Sequence, residues 1–222
     1  MVNKTTFKQY LLEAEENILR AKSKLDLRRS IVDGHFTKDG SKLKVTGDFD
    51  CSRKQLKSLE GCPQTVGGDF YCSHNQLESL EGCPQTVGGY FNCSDNELKS
   101  LEGCPQTVGG SFYCWNNQLK SLEGCPQTVG GNFYYFNNEK LTSLTRINFY
   151  VHEINGEDGA DFTGCPIKSN VLGILKIRGL KKVKFTDKKL EEIMNRHLPM
   201  GDSTDCIDDL LDAGYSKEYC KW

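Results

Sequence analysis

A 21-residue unit is repeated in tandem along the middle of this chain. Its most constant part, EGCPQTVGG at residues 60–68, recurs without change at residues 81–89, 102–110 and 123–131. A fixed period of this length is typical of a solenoid, in which one unit cannot bury its own apolar face and needs neighbours above and below. The repeat therefore sets the register in which both fold and function have to be read.

Aligned repeats separate inward from outward positions. Phe70 and Cys72 flank Tyr71, and this alternation predicts a short strand that points Phe70 and Cys72 inward and Tyr71 outward. Asn75 follows the strand, and its amide is expected to bond backbone groups that are left unpaired where the chain turns, from one repeat to the next. Gly68 precedes the strand, where we expect a backbone conformation closed to other residues.

These positions resemble the leucine-rich repeat pattern L-x-x-L-x-L-x-x-N-x-L. Phe70 and Cys72 fill its two middle apolar places, Asn75 is the Asn, and Leu77 closes it. The first apolar place falls on Gly67, a departure that indicates a short, shallow variant. The resemblance implies parallel strands on the concave face of a right-handed solenoid.

The flanking segments carry helix and strand patterns of their own. Apolar spacing over residues 6–24 predicts an amphipathic N-terminal helix. Residues 172–177 and 183–185 are interpreted as two β-segments of a C-terminal cap. Two helices are predicted after them, over residues 187–197 and 204–213.

The predicted organisation is an α/β chain in three parts. Residues 1–44 form the N-terminal helix and lead-in cap, and residues 45–144 form a short right-handed leucine-rich-repeat solenoid. Residues 145–222 form a C-terminal β/helical cap with two short helices. No apolar run is long enough to span a bilayer, so no membrane is expected as partner. The formal net charge is −2 and the sequence has no basic stripe, so no nucleic acid is expected as partner either.

The chain contains eleven cysteines, an odd number, of which eight occupy repeat-equivalent positions. Four lie on the strands and four beside proline: Cys51, Cys72, Cys93 and Cys114, then Cys62, Cys83, Cys104 and Cys125. Because free cysteine is a small, readily buried hydrophobe, we expect two buried ladders of reduced thiols. A rung is one turn of the solenoid. Equivalent Cα atoms of adjacent rungs are expected ~4.8 Å apart, which is within the range of a disulfide, so bridges between rungs are geometrically possible. No C-x-x-C motif is present and the four histidines are scattered, so no metal or other cofactor is expected.

The outward strand positions differ between repeats while the rest is copied almost verbatim. They change from acidic residues at the N-terminal end to aromatic residues at the C-terminal end. Exposed Tyr and Trp often anchor protein interfaces, so the varied face is the candidate partner site. The candidate partner-binding residues are Asp69, Tyr71, His74, Tyr90, Asn92, Asp95, Tyr113, Trp115, Tyr134 and Phe136. The alternative is that the aromatic residues only pair across strands and stabilise the sheet.

A catalytic site is not indicated. His74 and Asp95 occupy equivalent places on neighbouring repeats, but no nucleophile lies in reach, and a solvated ion pair is the simpler interpretation. The chain is therefore predicted to be a non-enzyme, with catalysis by an appended C-terminal unit as the weakest alternative. The sequence does not indicate an oligomeric state.

Two segments outside the repeat, and the repeat itself, resemble proteins of large, T-even-like tailed bacteriophages. The repeat form G-x-F-x-C-x-x-N-x-L-x-S-L-x-G-C-P-x-x-V and the LLDAGY segment at residues 210–215 are similar to proteins of that group. The segment TFKQYLLEA at residues 6–14 is similar to the head-targeting leader of internal capsid proteins, which implies cleavage between Glu13 and Ala14. A capping helix explains the same residues equally well.

The resemblance implies two functions. The first is a phage protein that binds a bacterial host protein in the host cytoplasm, such as a component of anti-phage defence, through the concave face and caps. The second is an internal virion protein packaged in the head and delivered with the genome. Identification of the partner requires experiment.

Overall fold

The fold is a parallel β-solenoid of about seven turns, followed by helices. It is seen in a computed structural model that describes residues 31–32, 36–39, 42–201 and 203–222. The predicted helix over residues 6–24 and the leader residues Glu13 and Ala14 lie outside the described residues.

Within the described residues, fifteen short strands form two sheets. In chain order they are β1 (Ile31–Val32), β2 (Phe36–Asp39), β3 (Lys42–Val45), β4 (Phe49–Asp50), β5 (Thr65–Val66), β6 (Phe70–Tyr71), β7 (Thr86–Val87), β8 (Phe91–Asn92), β9 (Thr107–Val108), β10 (Phe112–Tyr113), β11 (Thr128–Val129), β12 (Phe133–Tyr134), β13 (Glu153–Ile154), β14 (Ala160–Asp161) and β15 (Val183–Lys184). Sheet A has the order β1-β4-β6-β8-β10-β12-β14-β15, and sheet B has the order β13-β11-β9-β7-β5-β3-β2. Pairing is parallel except at the N-terminal edges, where β1 runs antiparallel to β4 and β2 antiparallel to β3.

Sheet B is the main difference from the predicted fold. Each repeat contributes a second strand, such as Thr65–Val66, whose valine is buried. The predicted solenoid with strands on one face was therefore incomplete, because the constant QTVGG segment builds a sheet of its own. Two residues are too few to show the period-2 alternation by which a strand is recognised in sequence.

A continuous column of aromatic rings fills the core beneath sheet A. Phe49, Phe70, Phe91 and Phe112 are fully buried, and successive ring centroids lie 5.8, 5.4 and 5.4 Å apart. Phe133 continues the column 5.6 Å beyond Phe112. The predicted inward positions of the strands are thereby confirmed. Each rung presents its ring to two neighbours, which is the stacking that a solenoid needs for stability.

The predicted asparagine ladder is also confirmed. The Nδ2 atom of Asn75 donates to the carbonyls of Cys51 and Cys72 at 3.0 and 2.9 Å. Its Oδ1 atom accepts from the backbone N–H of Leu56 at 3.0 Å in the preceding rung. Asn96, the equivalent residue of the next repeat, repeats this pattern one rung further along. Since buried backbone groups need partners, the ladder closes the turn that follows each strand of sheet A.

The paired glycines of the repeat allow neighbouring rungs to approach closely. A Cβ atom on Gly68 would lie 2.9 Å from the backbone carbon of Gly47, and one on Gly109 would lie 2.0 Å from the backbone oxygen of Gly88. Neither residue has a positive φ, so at Gly68 it is this close approach, and not the predicted backbone conformation, that excludes other residues. The conformation that excludes other residues occurs instead at Gly61, where φ is +91°.

Sheet A continues past residue 144 through β14 and β15. A one-turn helix α1 (Ile147–Tyr150) and a 3₁₀ helix (Leu172–Lys176) lie between its last strands. The β-segment predicted over residues 172–177 was wrong, because a short apolar run alone does not distinguish a strand from a buried helical turn.

The two predicted C-terminal helices are confirmed as α2 (Lys188–His197) and α3 (Ser203–Asp212). The side chain of Asp187 caps α2 by accepting from the backbone N–H of Lys189 and Leu190. Leu190 and Met194 of α2 and Cys206 of α3 are buried in the same apolar core as the repeats.

Candidate functional site

The outward face of sheet A carries the residues that vary between repeats. Because each strand alternates, the phenylalanine that opens it is buried and the following residue faces away from the core. Parallel pairing then sets Tyr113 directly beside Tyr134 on one side and Asn92 on the other. Outward residues of successive rungs thus form continuous columns along the solenoid.

Six aromatic residues form an aromatic strip on this face. They are Tyr71, Tyr90, Tyr113, Trp115, Tyr134 and Phe136. Tyr113 stacks on Tyr134 with centroids 5.0 Å apart and planes within 14°, and Trp115 stacks on Phe136 at 5.2 Å and 7°. Each stack therefore covers one face of each of its two rings.

Tyr90 is the most exposed ring of the strip, with 44 % of its surface accessible. It lies edge-on to Tyr113, with centroids 6.0 Å apart and planes at 89°. Its Cδ1 atom would be only 2.5 Å from a Cβ atom on Gly110, so the glycine makes room for the ring. The other five rings of the strip are half-buried.

The phenol groups at either end of the strip donate to carboxylates. The Tyr71 hydroxyl donates to Asp69 Oδ2 at 2.7 Å, and the Tyr134 hydroxyl donates to Asp158 Oδ2 at 3.2 Å. Partial burial, and next the bond to Asp69, raise the pKa of Tyr71. Burial and the bond to Asp158 likewise raise the pKa of Tyr134. Both side chains therefore act as neutral hydrogen-bond donors at physiological pH.

A row of polar residues follows the strands beside the strip. His74, Asp95, Asn116 and Asn137 share a left-handed backbone conformation, with φ of 53°, 53°, 52° and 57°. His74 Nε2 lies 3.5 Å from Asp95 Oδ2, Asn116 Nδ2 donates to Asp95 Oδ1 at 2.8 Å, and Asn137 Nδ2 donates to Asn116 Oδ1 at 2.9 Å. Asn and Asp tolerate this conformation better than most residues, which accounts for their use here.

The structure places every predicted partner-binding residue on this face or in this polar row. The sequence analysis did not select Asp158. This residue contacts Asn132 of the preceding rung from 26 residues further along the chain, and so it does not keep the 21-residue spacing of the repeat. Asn116 and Asn137 were missed although they occupy the same repeat position as His74 and Asp95. That shared position was the signal that could have found them.

The described residues were searched for metal-ligand groups and for membrane-spanning helices. Among these residues, no group of three or more His, Cys, Asp and Glu side chains could hold a metal ion. No helix in the same residues is long and apolar enough to cross a membrane.

The predicted burial of the eight repeat cysteines is confirmed, and burial raises the pKa of thiols such as Cys93. Such thiols are poor nucleophiles.

Comparisons of the chain with protein-family models, with curated proteins and with solved structures gave no match. Function has to be argued from the site itself. The geometry offers a strip of stacked aromatic rings between carboxylates, bordered by a polar row.

Proposed function

We propose that this protein is a non-catalytic binding module that engages a protein partner through the outward face of sheet A. The observation that carries the proposal is the pair of ring stacks, Tyr113 on Tyr134 and Trp115 on Phe136, held half-exposed on a regular sheet. Large aromatic side chains in fixed conformations lose little entropy on binding and dominate the energetics of protein interfaces.

The outward face of sheet A is smaller than the footprint of a typical protein partner. Five rungs at ~4.8 Å spacing and ~15 Å of strand length give roughly 300 Å² of face. A partner of standard size covers ~800 Å² on each side. The polar row from His74 to Asn137 and the segment that carries Asp158 border the strip and extend this area. The proposed footprint includes both.

The competing explanation is that the rings only stabilise the sheet. The buried column from Phe49 to Phe133 already stacks every rung at 5.4 to 5.8 Å. The outward rings are absent from the β4 rung, where Asp50 occupies the column position of Tyr71. The rungs thus stack without them, which supports a binding role.

The resemblance to phage proteins extends the proposal to the source of the partner. In this extension the partner is a bacterial host protein, met in the host cytoplasm. A second candidate function, packaging in the phage head, rests on the Leu11-Leu12-Glu13 triplet followed by Ala14. Mass spectrometry of purified virions tests it, because packaging requires particles that contain a chain beginning at Ala14.

Affinity capture from host lysate, followed by calorimetry with the purified partner, tests the binding proposal. Replacing Tyr113 and Trp115 with serine should weaken binding by ~2 kcal/mol or more if they are anchors. The matched control replaces Thr86 and Thr107 with serine, which changes exposed residues on sheet B. Unchanged affinity in the first variant contradicts the proposal. Loss of folding in that variant supports the alternative in which the rings serve the sheet.

A further inference from the structure

Three carboxylates occupy the N-terminal rungs of the same face. Asp48 and Asp69 each accept a backbone N–H from the next rung, from Asp69 at 2.7 Å and from Tyr90 at 2.6 Å. Asp50 accepts from the backbone N–H of Ser52 at 2.8 Å. Each bond uses one carboxylate oxygen and holds the side chain in place. The carboxylates are therefore oriented by the backbone of the solenoid.

These carboxylates differ in their ion pairing from other carboxylates of the described solenoid. Elsewhere on the solenoid, carboxylates have cationic partners: Glu78 pairs with Lys99, Glu153 with Arg178 and Asp161 with Lys184. In the part of the chain that the structure describes, no ion pair involves Asp48, Asp50 or Asp69. Within the described residues, the charge of these oriented carboxylates is thus not offset by a direct ion pair.

The carboxylates and the aromatic strip form one surface. Asp50 is paired in register with Tyr71, and Asp69 Oδ2 accepts from the Tyr71 hydroxyl. Asp69 Oδ1 also holds the backbone of Tyr90, whose exposed ring meets Tyr113. In each of these two columns an acidic residue is therefore followed by an aromatic ring in the next rung, at a spacing of ~4.8 Å.

We infer that the partner of this face is a basic protein surface that presents arginine side chains. The inference rests on the proposed function and names the chemistry of its partner. A guanidinium group is planar, stacks on aromatic rings and binds carboxylates with paired hydrogen bonds, so it matches both components of the surface. Lysine matches only the charge. Nucleic acids and anionic membranes carry the wrong sign for this face.

Short peptides of nine arginines and of nine lysines are suitable probes, with binding followed by fluorescence anisotropy at low ionic strength. The test variant carries Asp48→Asn, Asp50→Asn and Asp69→Asn. Asparagine keeps the Oδ1 acceptor that each backbone bond uses, so the charge is removed while these backbone bonds are kept; at position 69 the bond that Oδ2 accepts from the Tyr71 hydroxyl is also lost. The matched control carries Glu60→Gln, Glu81→Gln and Glu102→Gln, which removes the same charge from exposed residues outside the face.

Wild-type protein should bind the arginine peptide more tightly than the lysine peptide. The triple asparagine variant should bind the arginine peptide at least 10-fold more weakly, and the glutamine control should stay within about 2-fold of wild type. Replacing Tyr90 with serine, which the next repeat carries at Ser111, should reduce the preference for arginine over lysine because a stacking surface is lost.

Three results would overturn the inference: no binding of the arginine peptide, equal affinity for both peptides, or equal weakening by the asparagine and glutamine variants. Sedimentation that shows self-association, lost in the asparagine variant, would identify a second copy as the occupant and also overturn it. If the serine variant of Tyr113 and Trp115 loses the captured partner while the carboxylates prove irrelevant, the proposed function stands and only this inference fails.

Discussion

Asn195 closes the free edge of sheet A by pairing with both backbone groups of Val183. Its Oδ1 atom accepts from Val183 N–H at 2.8 Å, and its Nδ2 atom donates to the Val183 carbonyl at 2.7 Å. Glu191 Oε2 accepts from the next free N–H of this edge, that of Phe185, at 2.8 Å. Side chains of α2 thus take the place of a further strand. An open edge would otherwise be a template for end-to-end association.

Replacing Asn195 with leucine should expose this edge. Leucine keeps a similar size and a high helix propensity, but it leaves the two Val183 groups without partners, at a cost of about 1–3 kcal/mol in the free energy of unfolding. Urea denaturation measures the cost, and light scattering should detect concentration-dependent association. Asn155→Ala is the control, since Asn155 is exposed and its side chain donates to Glu153 at the surface. Equal behaviour of the two variants would show that Asn195 has no such role.

Much of the solenoid could be predicted because equivalent residues of successive repeats occupy the same environment. The inward positions of Phe70, Phe91 and Phe112 and the asparagine ladder follow from alternation and from the chemistry of a turn. Thr65–Val66 could not be recognised as a strand, since its pairing partners lie 21 residues away and two residues show no period.

The candidate site was predictable only where it keeps the repeat register. Tyr113 and Trp115 differ between repeats at outward positions, so variation identified them. Asp158 comes from a longer connection, and only the fold brings its carboxylate to Tyr134. The acidic residues at the N-terminal end were visible in sequence, but coordinates were needed to find that none of them forms an ion pair with another described residue.

Gly109, like its repeat equivalent Gly130, should be highly sensitive to substitution. An alanine Cβ there would meet the Gly88 backbone oxygen at 2.0 Å, which no side-chain rotation can relieve. We expect a loss of about 3 kcal/mol in the free energy of unfolding, or failure to fold. Gly61→Ala is the control: φ is +91°, nothing lies within 4 Å of the added carbon, and only conformational strain of about 1–2 kcal/mol applies. The reverse order of stability in denaturation experiments would rule out close approach as the reason for the glycine pair.

Asn117 and Asn116 offer a test of the ladder within one rung. Asn117 donates to the carbonyls of Cys93 and Cys114 and accepts from Leu98 N–H, all at 3.0 to 3.1 Å. Asn117→Ala should cost about 3 kcal/mol, because several buried backbone groups lose their partners. Asn116 is exposed and has a positive φ, so Asn116→Gly should cost less than 1 kcal/mol. Similar losses in both variants, measured by urea denaturation, would contradict the ladder's role.

The buried thiols predict a loss of stability at alkaline pH. Burial raises the pKa of Cys83 and of Cys125 to about 12, and that of Cys165 to about 11. An unfolded chain ionises its thiols near pH 8.5, so the native state binds more protons above that pH and the free energy of unfolding falls as pH rises from about 8.5 toward 11. Each such thiol contributes a slope of up to ~1.4 kcal/mol per pH unit.

Urea midpoints measured under reducing conditions at pH 7, 8, 9 and 9.5 should therefore be flat at first and then fall steeply. A variant with Cys83→Ala and Cys125→Ala starts from lower stability, because it loses buried side chains. Its decline above pH 8.5 should nevertheless be shallower, since two titrating groups are gone. The slope separates the two effects, because a packing defect lowers stability equally at every pH. A decline as steep as that of the wild type would mean that these thiols are not protonated and buried in the native solenoid.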